Sequence, residues 1–552
     1  MIGAGEERAG TARDSLVAGA GTAVSRLTGV LRVVMVGAVL GPTPFGDNFQ
    51  LTNSLPNLIY YGFLAGSLFN SLLVPVLVRH VDRGDPARTA RVSGGFVGIS
   101  WSGMLLLVPL AVLVVPPVVG LLSPGGATAS DAQADQARLL LLLTCPQVFL
   151  YAVAGASASV LNAHRRFALA SLAPAVENLG VVAVLAAAWV VYGPAGGSAV
   201  ATPVGQVLLL GLGSTLAVAV HAALQWWAAR GCGVTVRPRA GWRDAEVLAV
   251  VRRAVRSVAQ AGLLALQMVV VLLVAGRVAG GTVALQIVFN FYYLPIALVA
   301  TPVALALIPR LSRLHQRGDS QMFRETYVDG IRLALFLALP AAVGYVLVAE
   351  PVAHAIAVGA LDSVSGIGLV AGSLAAMAAG VVGQTLFLVS MQVAYARQDT
   401  RTPLVSMAVQ AGVGVSAALA TLLLPAEHGV VLLGSAYAAG ALVGGLHLTY
   451  AVGADIGLRP ASLAPLLGRL ALGAVAMTLP TRWLVTVLPA SVDGRAGWLL
   501  ALVLGTLAGA VSFLTVQLIV RSPELRALRA GLRREPLPGP VAQEQVAQEP
   551  VP

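Results

Sequence analysis

Arg26, Arg32, Asp47, Gln50, Asn53 and Asn57 all lie within one largely apolar stretch, SRLTGVLRVVMVGAVLGPTPFGDNFQLTNSLPNLIY. Charged groups inside an apolar span are expensive, so they face a protected interior or a watery cavity and mark a pathway. A guanidinium keeps its proton at any ordinary pH, and its planar fork suits phosphate oxygens. If the first helix begins near residue 15, Arg26 sits about 16 Å along it, too deep to reach the near interface easily. Arg32 lies about 120° further round, so the two arginines can border one cavity without stacking. The chemistry open to them is recognition of an anion, or else an internal ion pair or snorkelling. On the next helix Asp47, Gln50, Asn53 and Asn57 fall within an arc of about 120°. Such a polar stripe either lines a cavity or hydrogen-bonds neighbouring helices. Pro56, Gly62 and Gly66 give that second helix places to bend.

These residues need a scaffold, and the composition says which. The chain has 552 residues, 57% hydrophobic and only 11% charged, with a mean hydropathy of +0.84. A soluble chain carries about a quarter charged residues. Spans of about 20 mostly apolar residues are expected at 15–41, 47–78, 92–122, 137–163, 168–192, 200–228, 247–276, 282–309, 328–358, 365–396, 402–424, 429–453, 463–488 and 496–520. The first residues lack the pattern of a cleaved signal peptide, so the N-terminus is expected to be retained. The Pro- and Gln-rich segment after Arg534 is expected to be disordered. Cys145 in an apolar run and Cys232 in a basic loop suggest neither a disulfide framework nor a metal site.

The net charge of +11 comes from arginine alone, since the chain has no lysine. One set of loops holds Arg79, Arg83, Arg88 and Arg91, then Arg165 and Arg166, then Arg230, Arg237, Arg239 and Arg243. It continues with Arg310, Arg313, Arg317 and Arg324, then Arg397 and Arg401, then Arg459, and ends in the basic C-terminal segment. The alternate loops GPTPFG, SPGGATASDAQADQ, GPAGGSA and GALDSV have no arginine. The positive-inside rule makes the first set cytoplasmic and puts both termini inside, as an even number of spans requires. The basic balance is therefore a matter of topology and does not point to nucleic acid.

VPVLVRHVDRGD (74–85) and IPRLSRLHQRGD (308–319) share a spaced proline, arginine and RGD, and an LP dipeptide precedes each, at Leu55-Pro56 and Leu294-Pro295. An even number of spans between them makes the halves parallel repeats. The expected architecture is an all-α polytopic membrane protein. It has a cytoplasmic segment (1–14), a six-helix lobe (15–228), a cytoplasmic linker (229–246) and a second six-helix lobe (247–453). Two further helices (463–520) and a basic segment with its tail (521–552) complete it.

Other polar residues have two readings each. Glu177, alone in the fifth span, pairs with an arginine or carries protons. Arg252, Arg253 and Arg256 open the seventh span, as a cationic entrance for an anionic substrate or as topology anchors. Asn290 lies beside Phe291, Tyr292 and Tyr293, where aromatic packing is the simpler account. His221 and His447 stand isolated and read as core or interfacial residues rather than metal ligands. The chain has no GxxxxGK loop, no HExxH and no paired-aspartate loop, and no loop long enough to fold an ATPase domain. A transporter without cofactor or metal is expected, not an enzyme.

SRLTGVLR (25–32), FGDNFQLTNSLPNLIY (45–60), LVPVLVR (73–79), YYLPIALVATPVALALIPRLSR (292–313) and YARQDTRTP (395–403) together resemble the MviN/MurJ family of lipid II flippases. That family sits within the wider superfamily of polysaccharide flippases and multidrug antiporters. The resemblance implies two six-helix lobes around a central cationic cavity, with the last two helices forming a groove for a lipid tail. It implies movement of undecaprenyl-pyrophosphate-linked muropeptide from the inner to the outer leaflet of a bacterial cytoplasmic membrane, by rocking of the lobes. Arg26 and Arg32 would hold the pyrophosphate, with Asn53 and Asn57 beside it. Asp47, Gln50, Pro56, Gly66, Glu177, Arg256 and Asn290 would line or gate the cavity. The implied partners are the lipid-linked glycan, membrane lipids, and proteins of wall synthesis and division. Where other members carry an acid after the second arginine, an arginine pair after LPNL and an arginine on the eighth helix, this chain has Val33, Tyr60-Tyr61 and Asn290. A flippase for an exopolysaccharide precursor is the alternative, and a drug or ion antiporter a more distant one.

Overall fold

Each repeated RGD joins two helices by the same local chemistry. Gly84 and Gly318 adopt the left-handed conformation, with φ of +67° and +71°, where a side chain would be strained. The aspartate that follows then caps the next helix. Asp85 accepts from the Arg88 N–H at 2.8 Å, and Asp319 accepts from the Met322 N–H at 3.0 Å.

The computed structural model describes residues 2–60, 73–123, 127–193, 202–457 and 463–526. The first lobe comprises α1 (Ile2–Leu40), α2 (Pro44–Leu58), α3 (Val74–Asp82), α4 (Pro86–Leu122), α5 (Ala127–Thr144), α6 (Pro146–Ala163), α7 (Phe167–Tyr192) and α8 (Val204–Arg230). The second comprises α9 (Ala245–Ala275), α10 (Gly281–Pro295), α11 (Thr301–Arg317), α12 (Ser320–Ile356), α13 (Val364–Ala396), α14 (Arg401–Ala420) and α15 (Ala426–Asp455). Two further helices follow, α16 (Ala464–Ser491) and α17 (Arg495–Ile519).

Among the described residues 13 helical stretches are long and apolar enough to cross a membrane. The expected second span is represented by α2 and α3 on either side of residues 61–72. Those residues, Gly62 and Gly66 among them, lie outside the described residues, as does the C-terminal tail from 527.

The two LP dipeptides also share a structural consequence. Proline cannot donate to the carbonyl four residues back, and a membrane interior has no bulk water to satisfy that oxygen. The carbonyl left by Pro56 is that of Thr52, and the Thr144 hydroxyl of α5 lies 3.2 Å from it, sharing its proton with the Leu140 carbonyl of its own helix at 3.0 Å. The carbonyl left by Pro295 is that of Phe291, and the Tyr345 hydroxyl of α12 donates to it at 2.5 Å. A wider π-type turn follows each proline, at Ile59–Tyr60 and at Ile296–Ala300. Such turns relax a helix at one point and often mark functional positions.

The apolar interior divides unevenly. One cluster joins the lobes at the end where the arginine-free loops lie. It runs from Val36, Leu40, Phe45 and Phe49 of the first lobe to Leu285, Val288, Leu361 and Tyr437 of the second. Toward the arginine-rich end there are two separate clusters. One lies within the first lobe and the start of α9, around Phe96, Val97, Tyr151 and Val247. The other lies in the second lobe, around Tyr327, Phe336, Phe387 and Phe513. The described residues thus share one core across the lobes at one end and form two separate clusters at the other, the first reaching into the start of α9. The last pair of helices packs on α12, where the Phe336 and Phe513 rings stand 5.5 Å apart. Their outer faces leave Leu479 79% and Ile519 74% exposed.

Candidate functional site

The first lobe buries a charged cluster between four helices. α1 runs against α7, close enough for the Asn178 amide to donate to the Ser25 carbonyl at 3.2 Å and the Thr28 hydroxyl at 3.3 Å. One residue back, Glu177 Oε1 lies 3.3 Å from Arg32 Nη1, with 14% of the arginine side chain and 6% of the glutamate exposed. The same guanidinium nitrogen lies 3.4 Å from Asn178 Oδ1. Tyr151 of α6 donates its hydroxyl to Glu177 Oε1 at 2.7 Å. His221 of α8 places Nδ1 2.7 Å from Glu177 Oε2. An ionised carboxylate only accepts, so Nδ1 carries the proton in this pair. The opposite ring nitrogen, Nε2, is buried without a hydrogen-bond partner among the described residues. Asn57 of α2 hydrogen-bonds Tyr151, and the Tyr60 ring stacks on Tyr151 with centroids 5.7 Å apart.

Arg32, Glu177 and Asn57 therefore meet in one cluster. Tyr151 and Asn178, which a sequence reading passes over, complete it together with His221, which that reading places in the core or at an interface. The available signals were weak: one polar residue beside Glu177, and one histidine in an apolar span. Burial of this kind is tolerable only when each charge has a counter-charge and hydrogen bonds. Arg32 has both.

Arg26 differs. It is exposed and makes no hydrogen bond or ion pair with the described residues. Among the described side chains of α1 its guanidinium is the uncompensated cation, one to two turns toward the arginine-rich end from Arg32.

The stripe on α2 splits by height. Asp47, 5% exposed, reaches across to the second lobe, where its carboxylate accepts from the N–H groups of Gly280 at 2.7 Å and Val283 at 3.0 Å. A carboxylate at a helix N-terminus satisfies orphan donors and meets the positive end of the helix dipole. Gln50 donates to Ser54 of its own helix at 3.0 Å. Asn53 accepts from Gln147 at 3.4 Å, and Gln147 also donates to Thr215 at 3.1 Å. Asn53 Nδ2 is buried without a partner among the described residues.

The remaining candidates stand apart, within the second lobe. Asn290 donates to the Gln286 carbonyl of its own helix at 2.8 Å. Arg256, exposed at the arginine-rich end of α9, donates to the Thr400 hydroxyl at 3.0 Å. His447 lies 2.9 Å from the Ser406 hydroxyl. Among the described residues no cluster of His, Cys, Asp and Glu is arranged to hold a metal, and both cysteines are free.

Residues 36–499 match the protein family described as lipid II flippase MurJ. A probable lipid II flippase MurJ of Rhizobium meliloti is 28% identical over 405 residues, covering 73% of each chain. A lipid II flippase MurJ of Burkholderia cenocepacia is 26% identical over 398 residues, covering 69% of this chain and 72% of that one. A solved structure of lipid II flippase MurJ in an inward closed conformation aligns with a TM-score of 0.70 at 16% identity, over 92% of this chain and 99% of that one. An inward-facing multidrug resistance transporter of the MATE family aligns at 0.58 and 12% identity, over 78% and 94%. At such identities these structures speak to the fold alone. The sequence match spans most of the chain, from the end of α1 to the start of α17, and places it in the MurJ family of lipid II flippases.

Proposed function

We propose that this protein flips lipid II, the polyprenyl-pyrophosphate-linked peptidoglycan precursor, from the cytoplasmic to the outer leaflet of a bacterial membrane. The observation that carries the reading is the family match over residues 36–499. The arginine-rich end faces the cytoplasm, with both termini on that side. The headgroup enters between the lobes from that end, where they keep separate cores. Arg26 receives the pyrophosphate: a guanidinium without an internal partner binds phosphate oxygens with charge-assisted hydrogen bonds. The polyprenyl tail stays in lipid along the apolar outer faces of α16 and α17. The chain breaks no bond; it alternates which leaflet its cavity faces, and it hands the precursor to wall-synthesis enzymes.

The test is replacement of an essential lipid II flippase by this chain in a depletion strain, with the leaflet distribution of lipid II measured. Growth with lipid II reaching the outer leaflet is expected; lysis at normal protein level would refute the reading. A second reading, a flippase for another lipid-linked oligosaccharide, draws on Val33 and on Tyr60, which stacks on Tyr151; both are uncharged where the resembled family carries charge. Loss of glycan export on deletion of the native gene would favour it.

A further inference from the structure

The arginine-rich end of the first lobe holds a cavity of about 380 Å³ that no step of flipping uses. It is lined by Arg88, Arg91 and Gly95 of α4 and by Arg239, Arg243 and Asp244 of the segment joining the lobes. The joining segment is laid directly on α4. The Arg239 N–H donates to the Gly94 carbonyl at 3.0 Å, and a Cβ at Gly94 or Gly98 would run into the carbonyl oxygens of Arg237 and Arg239. The glycines let two backbones touch, and this contact brings the arginines of two elements around one space.

The charges there do not balance. Arg88 is fully engaged, with Nη1 2.9 Å from Asp244 Oδ2, Nη2 3.0 Å from Asp244 Oδ1, and Nη2 2.9 Å from Glu246 Oε2. That arrangement consumes Asp244, the acid in the lining. The guanidinium groups of Arg91, Arg239 and Arg243 make no hydrogen bond or ion pair with the described residues. Three like charges around one concavity repel each other, and an anion with several oxygens relieves the repulsion. Arginine forks match phosphate geometry. Trp242, 54% exposed, stands beside Arg243, and an exposed indole next to arginine is typical of headgroup level. α4 has 37 residues, about 55 Å at 1.5 Å per residue against a hydrocarbon core of about 30 Å. Its first turns therefore project into the zone of phosphates.

We propose that this cavity is a phosphate-binding site, occupied by the headgroup of an anionic phospholipid or by a soluble phosphate compound, which fastens the interlobe linker to α4. The test uses full-length protein in an uncharged detergent, titrated with short-chain phosphatidylglycerol, with cardiolipin and with inorganic pyrophosphate, and followed by the thermal unfolding midpoint. The wild type should be stabilised at saturable concentration by at least one of these. The variant Arg91→Gln/Arg239→Gln/Arg243→Gln should bind at least tenfold more weakly. A control with Arg310→Gln/Arg313→Gln/Arg317→Gln, removing equal charge from the second lobe, should change binding less than twofold. Arg91→Lys/Arg239→Lys/Arg243→Lys should recover part of the loss. Response to lipids without pyrophosphate identifies the headgroup as occupant, and response to pyrophosphate identifies a soluble phosphate. Equal binding by the wild type and the first triple variant, or equal losses in the first variant and the control, would overturn the proposal.

Discussion

Asp47 and Gly280 stand on different lobes, yet the Gly280 N–H donates to Asp47 Oδ2 at 2.7 Å. The bond joins the start of α2 to the start of α10 at the end where the lobes share a core. Beside it Pro42 crowds Gly280, and Ala360 crowds Gly41. One carboxylate thus latches a seam that is otherwise apolar.

Removing that carboxylate should loosen the seam without unfolding either lobe. A hydrogen bond to a charged group contributes about 1.5–3 kcal/mol, so Asp47→Ala should shift the open–closed equilibrium by about ten- to a hundredfold. Spin labels at Asp131, exposed near the start of α5, and at Asp362, exposed in the connection between α12 and α13, should gain a longer-distance population in the variant. An unchanged distance distribution would show that the apolar contacts suffice alone.

Glu177→Ala should be among the most destabilising single changes in the first lobe. It leaves Arg32 buried without its counter-charge, a loss of about 3–5 kcal/mol for broken buried pairs. The double variant Arg32→Met/Glu177→Met should recover most of that stability. Thermal unfolding of the three proteins in detergent, beside complementation of each, separates a structural from a functional role. Transport by the stable double variant would make the pair purely structural.

Arg26→Ala should insert and fold like the wild type, because no described residue depends on it. Complementation should fall at least tenfold, with Arg26→Lys keeping part of it since lysine retains charge but not the fork. Full growth of a well-expressed Arg26→Ala strain would remove Arg26 from the substrate path.

Thr144→Val should be costly only while Pro56 is present. The Thr144 hydroxyl satisfies the Thr52 carbonyl that Pro56 cannot reach, and an orphaned buried acceptor costs about 1–3 kcal/mol. In a Pro56→Ala background the helix supplies its own N–H, and Thr144→Val should be nearly neutral. A double-mutant cycle on unfolding midpoints reads the coupling.

Much of the fold was legible because membrane spans announce themselves by length and hydropathy. The repeated RGD was legible too, since only glycine followed by a capping aspartate serves that corner. The cluster around Glu177 was less so. Arg32 and Glu177 are 145 residues apart, and His221 looks isolated until three other helices close around it. The partner of Asp47 lay beyond any reading of side chains, because it is a pair of backbone N–H groups. Tyr151 carried no signal of its own: a tyrosine in an apolar span is ordinary until its hydroxyl is seen to face an acid.

The uneven division of the core makes the two ends thermodynamically unlike. Opening the seam near Asp47 must tear a continuous oily interior that runs through both lobes, whereas among the described residues the arginine-rich end holds two separate clusters. The seam near Asp47 is therefore the costlier contact to part. A ligand can part it only by as much as it favours the parted arrangement over the joined one.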